Sequence, residues 1–129
     1  MSQPYAALAY RESEILTASP SRLVVITYDA LLAAMTRARV GIAMQNHDVA
    51  FPALQKSREL VGELLASLDR DRGGDIAVRL SALYVFVLGD LLSVGLYADV
   101  KRLDRNIAIV RELREAFAQI ATTAKTELS

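Results

Sequence analysis

The feature that most constrains the fold of this chain is the regular spacing of apolar residues in two long segments. In the first, apolar residues recur at intervals of 4, 3, 4, 3 and 4 from Val24 to Ile42. In the second, the intervals are 4, 3, 3, 4 and 3 from Leu103 to Ile120, with charged residues between them. This spacing aligns the apolar residues along one face of an α-helix. It predicts a first helix over about residues 20–45 and a fourth over about 100–121.

Turn-forming residues indicate where the helices begin and end. Ser19 is a favourable cap, and Pro20 suits a first helical position because its missing N–H costs nothing there. A second helix is predicted from Asp48 or Phe51 to Leu68, with Pro52 in its first turn, because proline deeper in a helix would break it. A polar turn over residues 69–74 ends in the only glycine pair. A third helix is then predicted over about residues 75–97.

The predicted fold is all-α, since no strand-like alternation interrupts these segments. Four long helices with short connections favour an antiparallel four-helix bundle, assigned to residues 19–122. Residues 1–18 are predicted to form an N-terminal arm or short helix, and residues 123–129 a C-terminal tail.

Composition excludes several classes of protein. Lys and Arg number 15 and Asp and Glu also 15, so the net charge is zero, which argues against nucleic acid binding. The absence of cysteine excludes disulfides and thiolate metal sites. The longest apolar stretch, from Ala82 to Ala98, contains Asp90 and is shorter than the ~20 residues of a membrane span. We therefore expect a cytoplasmic chain without membrane insertion, and no signal peptide is visible at its start.

Candidate catalytic and metal-binding residues are few. The single histidine, His47, could be the phosphoacceptor of a helical phosphotransfer domain, but turn-forming neighbours favour a surface turn. Residues 69–80 match part of a calcium loop, yet the twelfth position, which requires glutamate, is Leu80. We predict no enzymatic activity, no metal and no cofactor.

The third helix is more apolar than a bundle helix needs to be. From Leu83 to Tyr97 only Asp90 and Ser93 are frankly polar. A helix with one side in water should have a polar stripe, so some of these apolar groups must point outward and be covered. The cover could be the N-terminal arm, a second copy of the chain, or a helix from another protein.

Several short motifs follow one another in a characteristic order. They are Thr17-Ala18-Ser19-Pro20, Leu23-Val24, Tyr28-Asp29, Ser67-Leu68-Asp69, Gly73-Gly74-Asp75-Ile76-Ala77, Leu83-Tyr84 and Leu113-Arg114-Glu115-Ala116-Phe117. Together they resemble the flagellar export chaperone family FliS. Their order matches the family from about residue 10 to residue 120. The chain departs from the family pattern at Ala30, at Phe86 and late in the third helix.

The resemblance implies a cytoplasmic chaperone that binds the C-terminal segment of flagellin. In that family the segment is disordered when free and forms helices around the chaperone, which prevents premature polymerisation and aids delivery to the flagellar export gate. The N-terminal arm can occupy part of the client's groove.

Nine residues are the candidates for client contacts. Leu83, Phe86, Leu91, Val94 and Tyr97 are expected on the outer face of the third helix, Leu23 and Tyr28 on the first helix, and Tyr10 and Ile15 in the arm. The alternative function is a self-associating helical bundle with a scaffold or regulatory role, so a homodimer of the free chain stays open.

Overall fold

Four α-helices make up the part of the chain that the structure, a computed structural model, describes. These are residues 20–128, with side chains from 21 to 122. The helices are α1 (Pro20–Ala43), α2 (His47–Ala66), α3 (Arg70–Tyr97) and α4 (Val100–Leu128). α1 packs against α2 and α4, and α3 packs against the same two helices. This confirms the predicted all-α four-helix bundle; the predicted arm, with Tyr10 and Ile15, lies outside the described residues.

The core lies along the bundle axis and is built from the apolar stripes that the spacing predicts. Its largest fully buried apolar side chains come from all four helices: Tyr28, Leu31, Met35, Leu54, Val61, Val87, Leu91, Val94, Leu103 and Val110. Two ion pairs on the surface join α1 to α4. Arg39 Nε lies 2.6 Å from an Asp104 oxygen, and Arg114 Nε lies 2.9 Å from an Asp29 oxygen. Both pairs fit one antiparallel register of the two helices.

The turn between α1 and α2 is tighter than predicted. Gln45 adopts a left-handed conformation (φ 53°), and the Asn46 side chain accepts a hydrogen bond from the Val49 N–H, which caps α2. Because α2 therefore begins at His47, Pro52 lies inside the helix, one turn beyond the predicted first turn. The prediction for Pro52 is wrong because the cap at Asn46 starts the helix earlier than Asp48.

The glycine pair interrupts α3 near its start. Asp69 caps the helix by accepting a hydrogen bond from the Arg72 N–H, so the helix begins at Arg70. Gly74 then has φ 53° and ψ −130°, a conformation that only glycine adopts readily. The predicted turn over residues 69–74 thus contains one helical turn before the break, and the long part of α3 follows from Asp75 as predicted.

The last helix also differs from its predicted length. Asp99 caps α4 by accepting a hydrogen bond from the Arg102 N–H at 3.0 Å. The backbone stays helical to Leu128, beyond the predicted end near Ala121. No glycine or proline follows Ala121, so no residue stops the helix there.

Candidate functional site

The outer face of α3 exposes a continuous apolar stripe. Its members recur at intervals of 4, 3, 4, 3 and 4 and are Val78, Ala82, Val85, Gly89, Leu92 and Leu96, all of them exposed. Leu96 is 76% exposed, and Val78, Val85 and Leu92 are each more than half exposed. Phe86 and Tyr97 flank these six residues and are 54% and 75% exposed. We call these eight residues the α3 stripe.

The opposite face of α3 supplies the bundle core. Tyr84, Val87, Leu91 and Val94 recur at intervals of 3, 4 and 3 and are at most 3% exposed. α3 is thus apolar on two opposite faces, of which only one packs against the other helices. An exposed apolar face of this length typically marks an interaction surface.

The predicted contact residues divide into two groups. Phe86 and Tyr97 are exposed on α3, Leu23 is 38% exposed on α1, and Leu83 is partly buried. Leu91 and Val94 are buried, so the expectation that they lie on the outer face is wrong; they belong to the core face of α3.

Tyr28 is also a core residue. It is fully buried because it lies on the apolar stripe of α1, the face that packs inward. Its ring lies 5.7 Å from that of Phe117 on α4. Its expected place on the docking surface is therefore wrong.

Four large exposed members of the α3 stripe were not predicted as contact residues: Val78, Val85, Leu92 and Leu96. The sequence does contain a signal for these four residues, because they follow the same three- and four-residue spacing as the core stripes. Because both faces of α3 are apolar, the spacing shows two candidate faces and does not say which one is buried.

A hydrogen bond between two tyrosines fixes α3 in the bundle. The hydroxyl oxygens of Tyr28 on α1 and Tyr84 on α3 are 2.5 Å apart and buried. Burial, together with this bond, raises the pKa of Tyr28 far above its ordinary value of 10.0. Burial likewise raises the pKa of Tyr84, and the bond partly opposes that increase. Both hydroxyls therefore stay protonated in the folded protein at neutral pH.

A polar cluster joins α3 to α4. Asp90, which is 9% exposed, accepts a hydrogen bond from the Asn106 side-chain amide at 2.8 Å. Arg102 Nη1 lies 3.4 Å from the other carboxylate oxygen of Asp90. Arg102 also pairs with Asp99, whose carboxylate oxygen is 3.3 Å from its Nε. The one charged residue in the second half of α3 is thus neutralised within the bundle.

A cleft opens at the end of the α3 stripe. It has a volume of about 560 Å³ and lies where the turn between α1 and α2 approaches the end of α3. Phe51 and Leu54 of α2 line it together with Gly95 and Leu96 of α3. His47, which stacks on Phe51 with ring centroids 5.1 Å apart, also lines the cleft. The cleft extends the exposed apolar surface from α3 onto α2.

Among the described residues no group of three or more His, Cys, Asp or Glu side chains could hold a metal ion. α3 is long and apolar enough to cross a membrane, by length and composition alone, and 22% of its most apolar window is buried. The core helix of a soluble protein can have the same length and composition.

Comparison with known proteins gives one consistent result. The family described as flagellar protein FliS matches residues 1–124. The flagellar secretion chaperone FliS of Salmonella typhimurium is 30% identical over 119 residues, covering 92% of this chain and 88% of that protein. The Escherichia coli and Campylobacter jejuni proteins of the same name are 28% and 26% identical, over 91% and 87% of this chain and 86% and 88% of their own lengths. The chain belongs to the FliS family of flagellar secretion chaperones.

Proposed function

We propose that this protein is a cytoplasmic export chaperone that binds the C-terminal segment of flagellin. Binding would prevent premature polymerisation and aid delivery of the subunit to the flagellar export gate. The observation that supports this most directly is the exposed α3 stripe, which has the length and spacing that a bound amphipathic helix requires. Membership of the FliS family supports the same conclusion.

The energetics of the stripe suit a client that folds as it binds. Ordering a disordered segment costs about 2–5 kcal/mol of the gross interaction energy. Full burial of a Val, Leu or Phe side chain contributes about 1.5–3 kcal/mol. The six large residues of the stripe are each more than half exposed, so burying them contributes roughly 5–10 kcal/mol. The apolar contacts alone can therefore offset the ordering cost.

A protein client fits α3 better than a lipid bilayer does. The core face of α3 is buried against the other helices, and Asp90 is paired with α4. Insertion of α3 into a membrane would break these contacts and place the Asp90 carboxylate in hydrocarbon, which is costly. A docked helix requires no such change, because the stripe is already on the surface.

Flagellin binding can be tested with the purified chain and a peptide of the flagellin C-terminal segment. We expect a 1:1 complex by light scattering and a gain of helical circular dichroism beyond the sum of the separate components. Leu92→Asp should abolish the complex, whereas Ala108→Asp, on the exposed face of α4, should leave it intact. Absence of a complex, together with a concentration-dependent dimer, would support the self-associating scaffold instead.

The N-terminal arm is proposed to cover part of the same surface in the free chaperone, with Tyr10 and Ile15 as its apolar contacts. Deleting residues 1–15 should then increase the binding of a hydrophobic fluorescent dye to the free protein. The same deletion should strengthen client binding, because the client no longer competes with the arm. Unchanged dye binding and unchanged client affinity would contradict this role.

A further inference from the structure

The outer face of α1 carries a second exposed row of mostly apolar residues. Its members recur at intervals of 3, 4, 3, 4, 3 and 4 from Leu23 to Met44, and all of them are exposed. This spacing places them along one side of the helix. The large apolar members are between 38% and 70% exposed, so the row is a candidate interaction surface. We call it the α1 row; it consists of Arg37 and of the apolar residues Leu23, Ile26, Ala30, Ala33, Val40 and Met44.

The α1 row lies on the opposite side of the bundle from the α3 stripe. α1 packs against α2 and α4, and α3 packs against the same two helices, so α1 and α3 occupy diagonal corners of the bundle. Their outer faces therefore point in opposite directions. A partner on the α1 row leaves the α3 stripe exposed.

The order of side-chain sizes in the α1 row is nearly the same when it is read from either end. Large apolar residues lie at both ends, and alanines lie in the middle. When two copies of α1 cross in antiparallel directions at Ala33, residues whose numbers sum to 66 or 67 lie at the same level. Leu23 then lies at the level of Met44 of the second copy, and Ile26 at the level of Val40. Such a self-matching face is what a two-fold dimer requires.

The alanines of the α1 row lie where the two helices would be closest. The distance between packed helices depends on the side chains at their contact, and Ala33 and Ala30 are the smallest members of the row. The helices can therefore approach closely at Ala33. A close approach there brings the larger residues on either side of Ala33 into contact with the second copy.

The charged member of the α1 row finds an opposite charge in the same arrangement. Within residues 21–122 the Arg37 side chain forms no hydrogen bond or ion pair. Asp29 lies at the level of Arg37 of the second copy, because the two numbers sum to 66. The Asp29 side chain is 52% exposed, and its carboxylate has acceptor capacity beyond its pair with Arg114. A two-fold axis makes this ion pair twice.

We infer that two copies of this chain pair through the α1 row in antiparallel directions, with Ala33 at the two-fold axis and Arg37 facing Asp29 of the second copy. The pair is weak, because the α1 row has far fewer than the ~20–30 residues a side of a standard interface. The inference goes beyond the proposed function and does not depend on it. Each copy in the pair still exposes its α3 stripe and can bind one client.

Cysteine cross-linking tests the position of the axis. The chain contains no cysteine, so one substitution introduces one thiol per copy. At the axis, the facing Cα atoms can reach the separation of about 4.4–6.8 Å that a disulfide requires. Under mild oxidation, Ala33→Cys should form a linked dimer about tenfold or more faster than Ala108→Cys, which places its thiol on the exposed face of α4. Equal rates in the two variants would overturn the inference.

A charge exchange tests the register of the pair. Arg37→Asp and Asp29→Arg should each lose self-association in sedimentation equilibrium, because each variant places like charges opposite one another. An equal mixture of the two variants should associate, since each copy then meets the opposite charge at both positions. Asp29→Arg also removes the exposed pair with Arg114, which contributes little to stability, so the fold should be kept. A mixture that stays monomeric while the wild type associates would overturn the antiparallel register.

The remaining outcomes identify other occupants of the α1 row. The wild type should associate as its concentration rises, and Ala33→Asp should prevent this by placing two carboxylates at the axis. A wild type that stays monomeric throughout would overturn the inference. Loss of association in Leu92→Asp instead would assign the contact to the α3 stripe. Association that appears only after deletion of residues 1–15 would assign the α1 row to the arm, and both results would overturn the inference.

Client binding is measured separately and distinguishes this inference from the proposed function. Ala33→Asp should bind the flagellin C-terminal peptide as tightly as the wild type does, because the α3 stripe is unchanged. Equal binding combined with equal self-association would refute the pairing and leave the proposed function standing. Weaker peptide binding by monomeric Ala33→Asp would show that the client covers the α1 row, which would also overturn the inference.

Discussion

Replacing Tyr28 by phenylalanine tests whether the buried tyrosine pair orients α3 in the bundle. Tyr28 and Tyr84 are 0% and 3% exposed, and their hydroxyl groups bond to each other across the core. Tyr28→Phe removes one hydroxyl and leaves the Tyr84 hydroxyl buried without its partner. An unsatisfied buried polar group costs about 1–3 kcal/mol. We expect the free energy of unfolding to fall by that amount. In a chain of this length, Tm should fall by roughly 3–6 °C for each kcal/mol lost.

The double variant Tyr28→Phe, Tyr84→Phe gives the sharper result. Removing both hydroxyls leaves no orphaned polar group, so this variant should be nearly as stable as the wild type. Urea unfolding of the wild type, the two single variants and the double variant, followed by helical circular dichroism, yields the coupling energy between the two hydroxyl groups. If the double variant loses the sum of the two single losses, the hydroxyl groups do not act as a pair and the reasoning is wrong.

Alkaline pH provides an independent measurement of the same pair. Burial raises the pKa of both tyrosines in the folded state above the ordinary value of 10.0. Below pH 10 the hydroxyls are protonated in both states, so their contribution is fully present. Above that pH the unfolded tyrosines ionise first, and stability falls by about 1.4 kcal/mol per group per pH unit. The double phenylalanine variant should lose less stability over this range than the wild type, and an identical loss would contradict the burial of the hydroxyls.

Two further predictions concern packing. Gly41→Ala places a Cβ 2.7 Å from the Ala50 nitrogen, so α1 and α2 must move apart at a cost of about 1–3 kcal/mol, measured by urea unfolding. Gly95→Ala is the control, because its nearest neighbour would be at an ordinary 3.8 Å. Leu91→Asp should prevent folding, because Leu91 is 0% exposed, whereas Phe86→Asp should change stability by less than about 1 kcal/mol. Equal thermal melts for these two variants would refute the division of α3 into core and surface faces.

Much of this fold could be predicted because the apolar residues that form the core face of α1 and of α4 recur with helical spacing along one face of each helix. Apolar and polar residues alternate there with helical spacing, so the buried face of each helix follows from the sequence. Helix starts were less predictable, as Pro52 shows. Its position in the second turn of α2 depends on Asn46, whose side chain caps the helix and moves its start towards the N-terminus.

The candidate site could be predicted as a segment but not residue by residue. From Leu83 to Tyr97 the low polarity marks α3 correctly as the helix with too much apolar surface. It cannot separate Phe86, which is exposed, from Leu91, which is buried, because both belong to apolar stripes with the same spacing. Spacing determines which residues share a face, whereas the orientation of that face depends on contacts with other helices.

Two buried polar residues of α3, Tyr84 and Asp90, make contacts that fix the orientation of the helix. Asp90 is paired with Arg102 and Asn106 on α4, and Tyr84 bonds to Tyr28 on α1. Rotating α3 by half a turn would present the α3 stripe to the core, which apolar burial alone would permit. The same rotation would break both sets of polar contacts and take the Asp90 carboxylate away from Asn106 and Arg102, and an unpaired charge in an apolar environment is costly. The polar groups of α3 therefore determine which apolar face is exposed, although none of them lies on the stripe itself.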